Sequence, residues 1–242
     1  MRVALVLSYN GTHFFGSQEQ TQTSQTVNGT LAHVLKQLGI DTKPIASGRT
    51  DKGVHATYQI VHIDLPEYWS DTQKLQRVLN EMLPPSLHVR KVLHVTKQFH
   101  ARYSTTSRVY RYIIKQGGLN PFANDFITFL DAVDTQRIQQ NIKLFEGEHD
   151  FANFMKTGSE TTSTLRTVYK AFAYEYKGYV ILHFEANGFL RSQIRFMVAA
   201  LLELDANAIK QMLGCEKKHK IKPAPPNGLY LAKVKYPKEY YV

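Results

Sequence analysis

Apolar residues fill Val3 to Leu7 and stop at Asn10-Gly11, a pattern that predicts a buried strand over Arg2 to Ser8 closed by a turn. Val27, Leu31, Val34, Leu35 and Leu38 then recur at helical spacing, with Gly39 as the stop, so a helix with one buried face follows. Tyr58 to Asp64 predicts a second strand. Ser70 is the expected cap of a second helix that buries Leu75, Val78, Leu79 and Met82 and ends at Pro84-Pro85, before a strand over Leu87 to Val95. The first half therefore reads β-α-β-α-β.

The second half repeats the theme. Arg108 to Lys115 alternates like a strand, and Asp134 caps a helix with Ile138, Asn141, Ile142 and Phe145 on one face and Gly147 behind it. Thr167 to Glu175 and Tyr179 to Glu185, joined by a short turn, predict a hairpin, followed by a strongly apolar helix over Leu190 to Leu204 and a last strand over Leu229 to Tyr236. This order predicts an α+β fold: two related β-α-β-type halves, 1–103 and 104–242, forming a largely antiparallel sheet with helices packed on one side and a central cleft.

Composition narrows the class. At 242 residues the chain buries a sizeable core without disulfides or a structural metal, and its single cysteine, Cys215, excludes a stapled secreted scaffold. No Cys/His cluster has zinc spacing, and the longest apolar runs are far shorter than a membrane span, so an intracellular protein is expected. Charge points to a polyanionic partner: 30 Lys and Arg against 20 Asp and Glu leave +10. Met82 to Asn124 holds no acid but carries Arg90, Lys91, Lys97, Arg102, Arg108, Arg111 and Lys115, interleaved with Phe99, Tyr103, Tyr110, Tyr112 and Phe122. Cations among aromatic faces suit unpaired bases. The lysines Lys217, Lys218, Lys220 and Lys222 form a second basic cluster, equally readable as a solvated face.

The densest chemistry lies in Ala46-Ser47-Gly48-Arg49-Thr50-Asp51-Lys52-Gly53-Val54-His55-Ala56, a loop between the first helix and the next strand. Its glycines permit backbone paths that aim Arg49 and Asp51 into a cleft, although an aspartate between glycines also serves as a turn former bonded to its own backbone. Asp51 and His55 have the spacing of a metal pair only on a helix, which Gly53 disfavours, so no metal is expected. Phosphate-cradling, dinucleotide and serine-hydrolase motifs are missing from the sequence.

Ser47-Gly48-Arg49-Thr50-Asp51 followed by Gly53-Val54-His55-Ala56 resembles the G-R-T-D-x-G-V-H-A signature of the tRNA pseudouridine synthase A family. Phe99-His100-Ala101-Arg102-Tyr103, Tyr110-Arg111-Tyr112, His149-Asp150-Phe151, Asn187-Gly188-Phe189-Leu190 with Gln193-Ile194-Arg195, and Ala224-Pro225-Pro226 with Gly228-Leu229 resemble further family segments in the same order. The resemblance implies a pseudouridine synthase fold with an RNA-binding cleft. It also implies cofactor-free isomerisation of uridine at positions 38 to 40 of the tRNA anticodon stem-loop, in the cytoplasm, by a homodimer. Carried over to this sequence, Asp51 is the nucleophile, Tyr110 stacks on the target base, Arg195 pairs with Asp51 and holds it ionised, and Arg49 helps displace the uridine. On residue type alone Tyr110 reads better as core and Arg195 better as a surface cation. Two rival readings are a non-catalytic RNA-binding protein of the same fold and a peripheral membrane binder, the latter lacking a basic amphipathic helix. The chain departs from the family at Phe15-Gly16-Ser17-Gln18, where Gly-Trp-Gln is usual, at Ala199, where Gly is usual, and at Lys52, where Ala is frequent.

Overall fold

The computed structural model of the chain describes residues 1–158 and 161–242. Its elements run β1 (Arg2–Tyr9), α1 (Val27–Gln37), β2 (Ile45–Ala46), β3 (His55–Asp64), α2 (Thr72–Met82), β4 (Leu87–His94) and β5 (Ser107–Gln116). They continue β6 (Thr128–Leu130), α3 (Thr135–Asn141), β7 (Gly147–Asp150), β8 (Leu165–Tyr176), β9 (Tyr179–Ala186), α4 (Gln193–Glu203), α5 (Ala206–Leu213) and β10 (Leu229–Lys235). The chain is α+β with mostly antiparallel pairing. It divides into two units: Met1–Thr106 with Leu231–Val242, and Ser107–Tyr230.

In the first unit β1 is the central strand, antiparallel to β3 on one side and to β4 on the other. Val3, Leu5, Val6 and Leu7 have no exposed surface, as a strand with neighbours on both edges and both faces covered requires. Helix α1 starts where the Thr26 hydroxyl accepts from the Gly29 amide, buries Val27, Leu31, Val34 and Leu35, and stops at Gly39, whose φ is +72°. The cap of α2 is Asp71, one residue beyond the expected Ser70, because its carboxylate reaches the Lys74 amide at 2.8 Å. Leu75 and Leu79 form the buried face of α2, while Met82 is 39% exposed. Asn80 fixes that helix to β4 by accepting from the Val89 amide and donating to the Val89 carbonyl. Leu231–Lys235 of β10 completes the unit beside β3.

In the second unit β5, β9, β8 and β7 pair in that order, all antiparallel, and β6 runs parallel to β5. The predicted hairpin turns through Lys177 and Gly178, both at positive φ, which matches the twist of the strands it joins. Phe145, Phe151, Phe154 and Phe184 are fully buried, and α4 buries Ile194, Met197, Val198, Ala199, Ala200 and Leu201. Ala199, at a departure from the family pattern, is therefore a packed core position. The apolar run starting at Leu190 becomes helical only at Gln193, because Ser192 has φ +60°. A separate helix, α5, follows after the Asp205 carboxylate caps the Ala208 amide. No helix among the described residues is long and apolar enough to cross a membrane.

Candidate active site

Between β2 and β3, residues 47–54 have no regular partner strand, so each backbone polar group needs a bond of its own. On one side the loop is tied to β3. The Ser47 amide donates to the Ile60 carbonyl, the Ser47 hydroxyl donates to Gln59 Oε1 at 2.6 Å, and Gln59 Nε2 donates to the Gly48 carbonyl at 2.9 Å. On the other side it is tied to the stretch that follows β1. The Thr50 amide donates to Ser17 Oγ at 2.8 Å, the Ser17 amide returns a bond to the Thr50 carbonyl, and Thr50 Oγ1 shares a 2.8 Å bond with Tyr9 Oη. Burial pushes the Tyr9 phenol up to about 12, against the opposing bonds to Thr50 and Gln59, so it stays neutral at physiological pH.

The turn that carries the acid closes with the Val54 amide on the Asp51 carbonyl at 3.1 Å, and Gly53 supplies its φ of +80°. The Gly53 amide donates to the Gly11 carbonyl, and the Gly11 amide donates to His55 Nδ1 at 3.0 Å. A Cβ on Gly11 would lie 2.1 Å from the Val54 carbonyl oxygen, so only glycine lets the two backbones come this close. His55 spends that ring nitrogen on the Gly11 amide at the start of β3, with 1% of its surface exposed.

The result is a sharp division of burial. Ser47, Thr50 and His55 are buried, Asp51 is half-buried, and Arg49 and Lys52 are exposed. Lys52 Nζ sits 4.1 Å from the centre of the Phe15 ring. A carboxylate on this loop is held by its own main chain, which suits a group that must meet a reacting carbon at a fixed distance.

The second unit holds the other two candidates. Tyr110 lies on β5 opposite Phe184 of β9, 6% exposed, with its ring 5.3 Å from Phe189 and nearly perpendicular to it. Arg195, half-buried in the first turn of α4, donates from Nε to the Ala224 carbonyl at 2.7 Å, and the Ala224 amide donates back to the Arg195 carbonyl at 3.0 Å. The neighbouring Tyr112 donates to the Pro225 carbonyl and shares a bond with Thr128. Burial pushes the Tyr112 phenol up to about 12, opposed by the Thr128 bond and by the charge of Arg195.

Arg49 and Asp51 thus share one loop of the first unit, while Tyr110 and Arg195 belong to the second unit. The braces Tyr9, Ser17, Gln59 and His55 are absent from the sequence-based set of site residues. Gln59 interrupting an apolar strand was a usable signal, and so was Ser17 at a departure from the family pattern. Ser17 is 1% exposed, and its hydroxyl and its amide both serve Thr50.

Residues 5–104 and 142–237 match the family model for tRNA pseudouridine synthase. Two similar curated proteins, each bearing the name tRNA pseudouridine synthase A, come from Wolinella succinogenes and Campylobacter jejuni. The first is 41% identical, covering 95% of this chain and 92% of its own. The second is 35% identical, covering 98% of this chain and 100% of its own. Among solved structures, a Cbf5-Nop10-Gar1 complex overlaps 95% of this chain and 47% of its own at a TM-score of 0.37 and 15% identity, too distant a likeness to bear on the site. The chain belongs to the tRNA pseudouridine synthase A family.

Proposed function

We propose that the chain converts uridine to pseudouridine at positions 38 to 40 of the tRNA anticodon stem-loop, with Asp51 as the nucleophile. Isomerisation of uridine in tRNA is the reaction of its family. The observation that carries the residue assignment is the Asp51 loop: neutral groups buried on both sides pin its backbone while Asp51 itself stays half-buried.

In the reaction the Asp51 carboxylate bonds to C1′ as the N1–C1′ bond of uridine breaks, the base rotates, and a C5–C1′ bond forms as the Asp51–C1′ bond breaks. The C5 proton leaves to solvent and N1 gains one, so neither redox state nor atom count changes, and a carboxylate suffices without a cofactor. Tyr110 stacks on the target base, which must leave the helix at a cost of a few kcal/mol, and Arg49 helps to displace it. Arg195 is the cation this reading assigns to orient the Asp51 carboxylate. The protein works in the cytoplasm, where its tRNA is, as a homodimer, since a compact chain with a radius of gyration of roughly 18 Å spans little of a tRNA alone.

Tritium release from carbon-5 of labelled uridine in an unmodified tRNA transcript tests this, with no metal or nucleotide added. The wild type releases tritium and Asp51→Ala does not. A folded wild type that binds several tRNAs and releases none would make the chain a non-catalytic RNA-binding protein.

A further inference from the structure

In the second unit two arginines converge where β9 leads into the Asn187-Gly188-Phe189 segment. The point where a Cβ of Gly188 would stand is 3.7 Å from Arg166 Nε and 3.9 Å from Arg108 Nη1. Both side chains are half-buried. Arg108 comes from β5 and donates from Nη1 to the Asn187 carbonyl at 3.1 Å. Arg166 comes from β8 and donates from Nη1 alone, to the carbonyls of Ser163 and Leu165, which leaves its Nε and Nη2 edge turned to no protein acceptor among the described residues. Asn187 is itself locked, its side-chain oxygen accepting from the Thr167 amide and its own amide donating to the Thr167 carbonyl.

Two guanidiniums held this close repel one another, and burial followed by the charge of Arg108 keeps Arg166 below the ordinary arginine value. Glu148 and Glu185 pair with Thr167 and Val109, one register position from Arg166 and Arg108, so strand alternation turns them to the other face of the sheet. Such a pair becomes favourable when a doubly hydrogen-bonding anion enters, and phosphate is the anion whose geometry the guanidinium fork matches. Position relative to the base site agrees. Arg108 stands two residues before Tyr110 on the same face of β5, about 7 Å along the strand, and Phe189 beside Gly188 is the ring that packs on Tyr110. That is the scale on which a base and its own phosphate are separated.

We propose that Arg108 and Arg166, with Gly188 between them, clamp a backbone phosphate next to the uridine that stacks on Tyr110. The clamp rests on the reading of the chain as a tRNA-modifying enzyme. It explains the glycine, since any side chain there would fill the space the phosphate occupies. Its contribution is to hold the register of the flipped nucleotide, because a phosphate contact positions without reading sequence.

The test compares the wild type with Arg166→Gln and with Arg108→Gln/Arg166→Gln for binding to an anticodon stem-loop RNA over a range of salt. The double variant should bind roughly ten- to a hundredfold more weakly. Its log affinity against log salt should flatten by about 0.7 to 0.9, the signature of one lost phosphate contact. Single methylphosphonates placed immediately 5′ or 3′ of the target uridine then remove the phosphate charge. At one of these two places the wild type should lose the same factor while the double variant loses less than about twofold. A folded double variant, judged by an unchanged melting temperature, with wild-type affinity and salt slope overturns the clamp. So does equal sensitivity of both proteins to both methylphosphonates. Tritium release by the wild type tests the underlying reading separately, so a failure of that reading is distinguishable from a failure of the clamp.

Discussion

The two regions that carry the candidate chemistry are built in opposite ways. In the first unit Asp51 stands on irregular backbone held by particular polar partners: Ser17 at the Thr50 amide, Gln59 at the Gly48 carbonyl and the Ser47 hydroxyl, Tyr9 at the Thr50 hydroxyl, and His55 at the Gly11 amide. In the second unit Tyr110 stands on a regular strand whose ladder supplies the backbone bonds, and its ring is positioned by packing against Phe189. The difference matches the roles proposed above for the two side chains. A carboxylate that attacks carbon needs a fixed distance and direction, whereas a ring that stacks on a base needs a wall and tolerates sliding. Damage should therefore come from single polar deletions in the first unit and from loss of aromatic surface in the second.

The largest effect expected is on Asp51. Asp51→Asn keeps the side-chain shape and should cut tritium release at least about 10⁴-fold while tRNA affinity stays within a few-fold, measured by filter binding on the same preparation. Next is Gly11→Ala, which drives a methyl into the Val54 carbonyl. It should cost about 2–4 kcal/mol in urea unfolding and lower the rate by moving the Asp51 turn. Ser17→Ala leaves the Thr50 amide buried without its acceptor and should cost about 1–3 kcal/mol, with a loss of kcat and little change in KM. In the second unit Tyr110→Phe should retain function and Tyr110→Leu should weaken substrate stacking by about 1–3 kcal/mol, seen mainly in KM. If Ser17→Ala and Tyr110→Leu moved the same kinetic constant, the contrast drawn above would collapse.

At pH 7 the last effect is silent and appears only on acidification: a pH dependence confined to the first unit. His62 is 3% exposed and accepts from the Ala101 amide at Nδ1; burial, then the charges of Arg2 and His100, lower it from 6.5 to about 4. Because the folded protein holds His62 neutral, its contribution is full above pH 6.5 and declines as pH falls toward about 4, where unfolded chains take up the proton first. Asp64, held below its usual value by Arg2, adds its own loss only at more acid pH. Chemical denaturation at pH 7, 5.5 and 4 should show the decline in the wild type and a flatter line in His62→Asn.

Long periodic elements were legible from the residues. The strand at Arg2, the helix beginning at Val27 and the hairpin around Lys177-Gly178 stand where alternation and turn chemistry put them. Elements of two to four residues, β2, β6 and β7, are shorter than any periodicity can register. Helix α5 was hidden because it follows α4 after a break of two residues, Leu204 and Asp205, within a nearly continuous apolar stretch. Arg49 and Asp51 were visible because their loop is dense in charge and glycine and resembles a family signature, whereas Tyr110 and Arg195 were visible only through the resemblance of their own segments. Among the supports, Ser17 and Gln59 were marked only as oddities and Tyr9 not at all, since Tyr9 and Ser17 reach Thr50 across 41 and 33 residues and local sequence does not specify such contacts.

Residues Leu231–Val242 belong to the unit begun by Met1–Thr106. Tyr236 donates to the Ala101 carbonyl and its ring lies 4.8 Å from that of Phe99 at a tilt of 58°, and the Thr96 amide donates to the Tyr240 carbonyl. On the ribosome roughly 120 residues are made between the two pieces, a wait on the order of ten seconds during which β3 lacks the strand that finally covers its edge. The order of synthesis thus makes Ser107–Tyr230 the part able to fold while the chain is still growing. The unit carrying Asp51 closes only afterward, so a polypeptide cut short before residue 231 would never assemble a complete first unit.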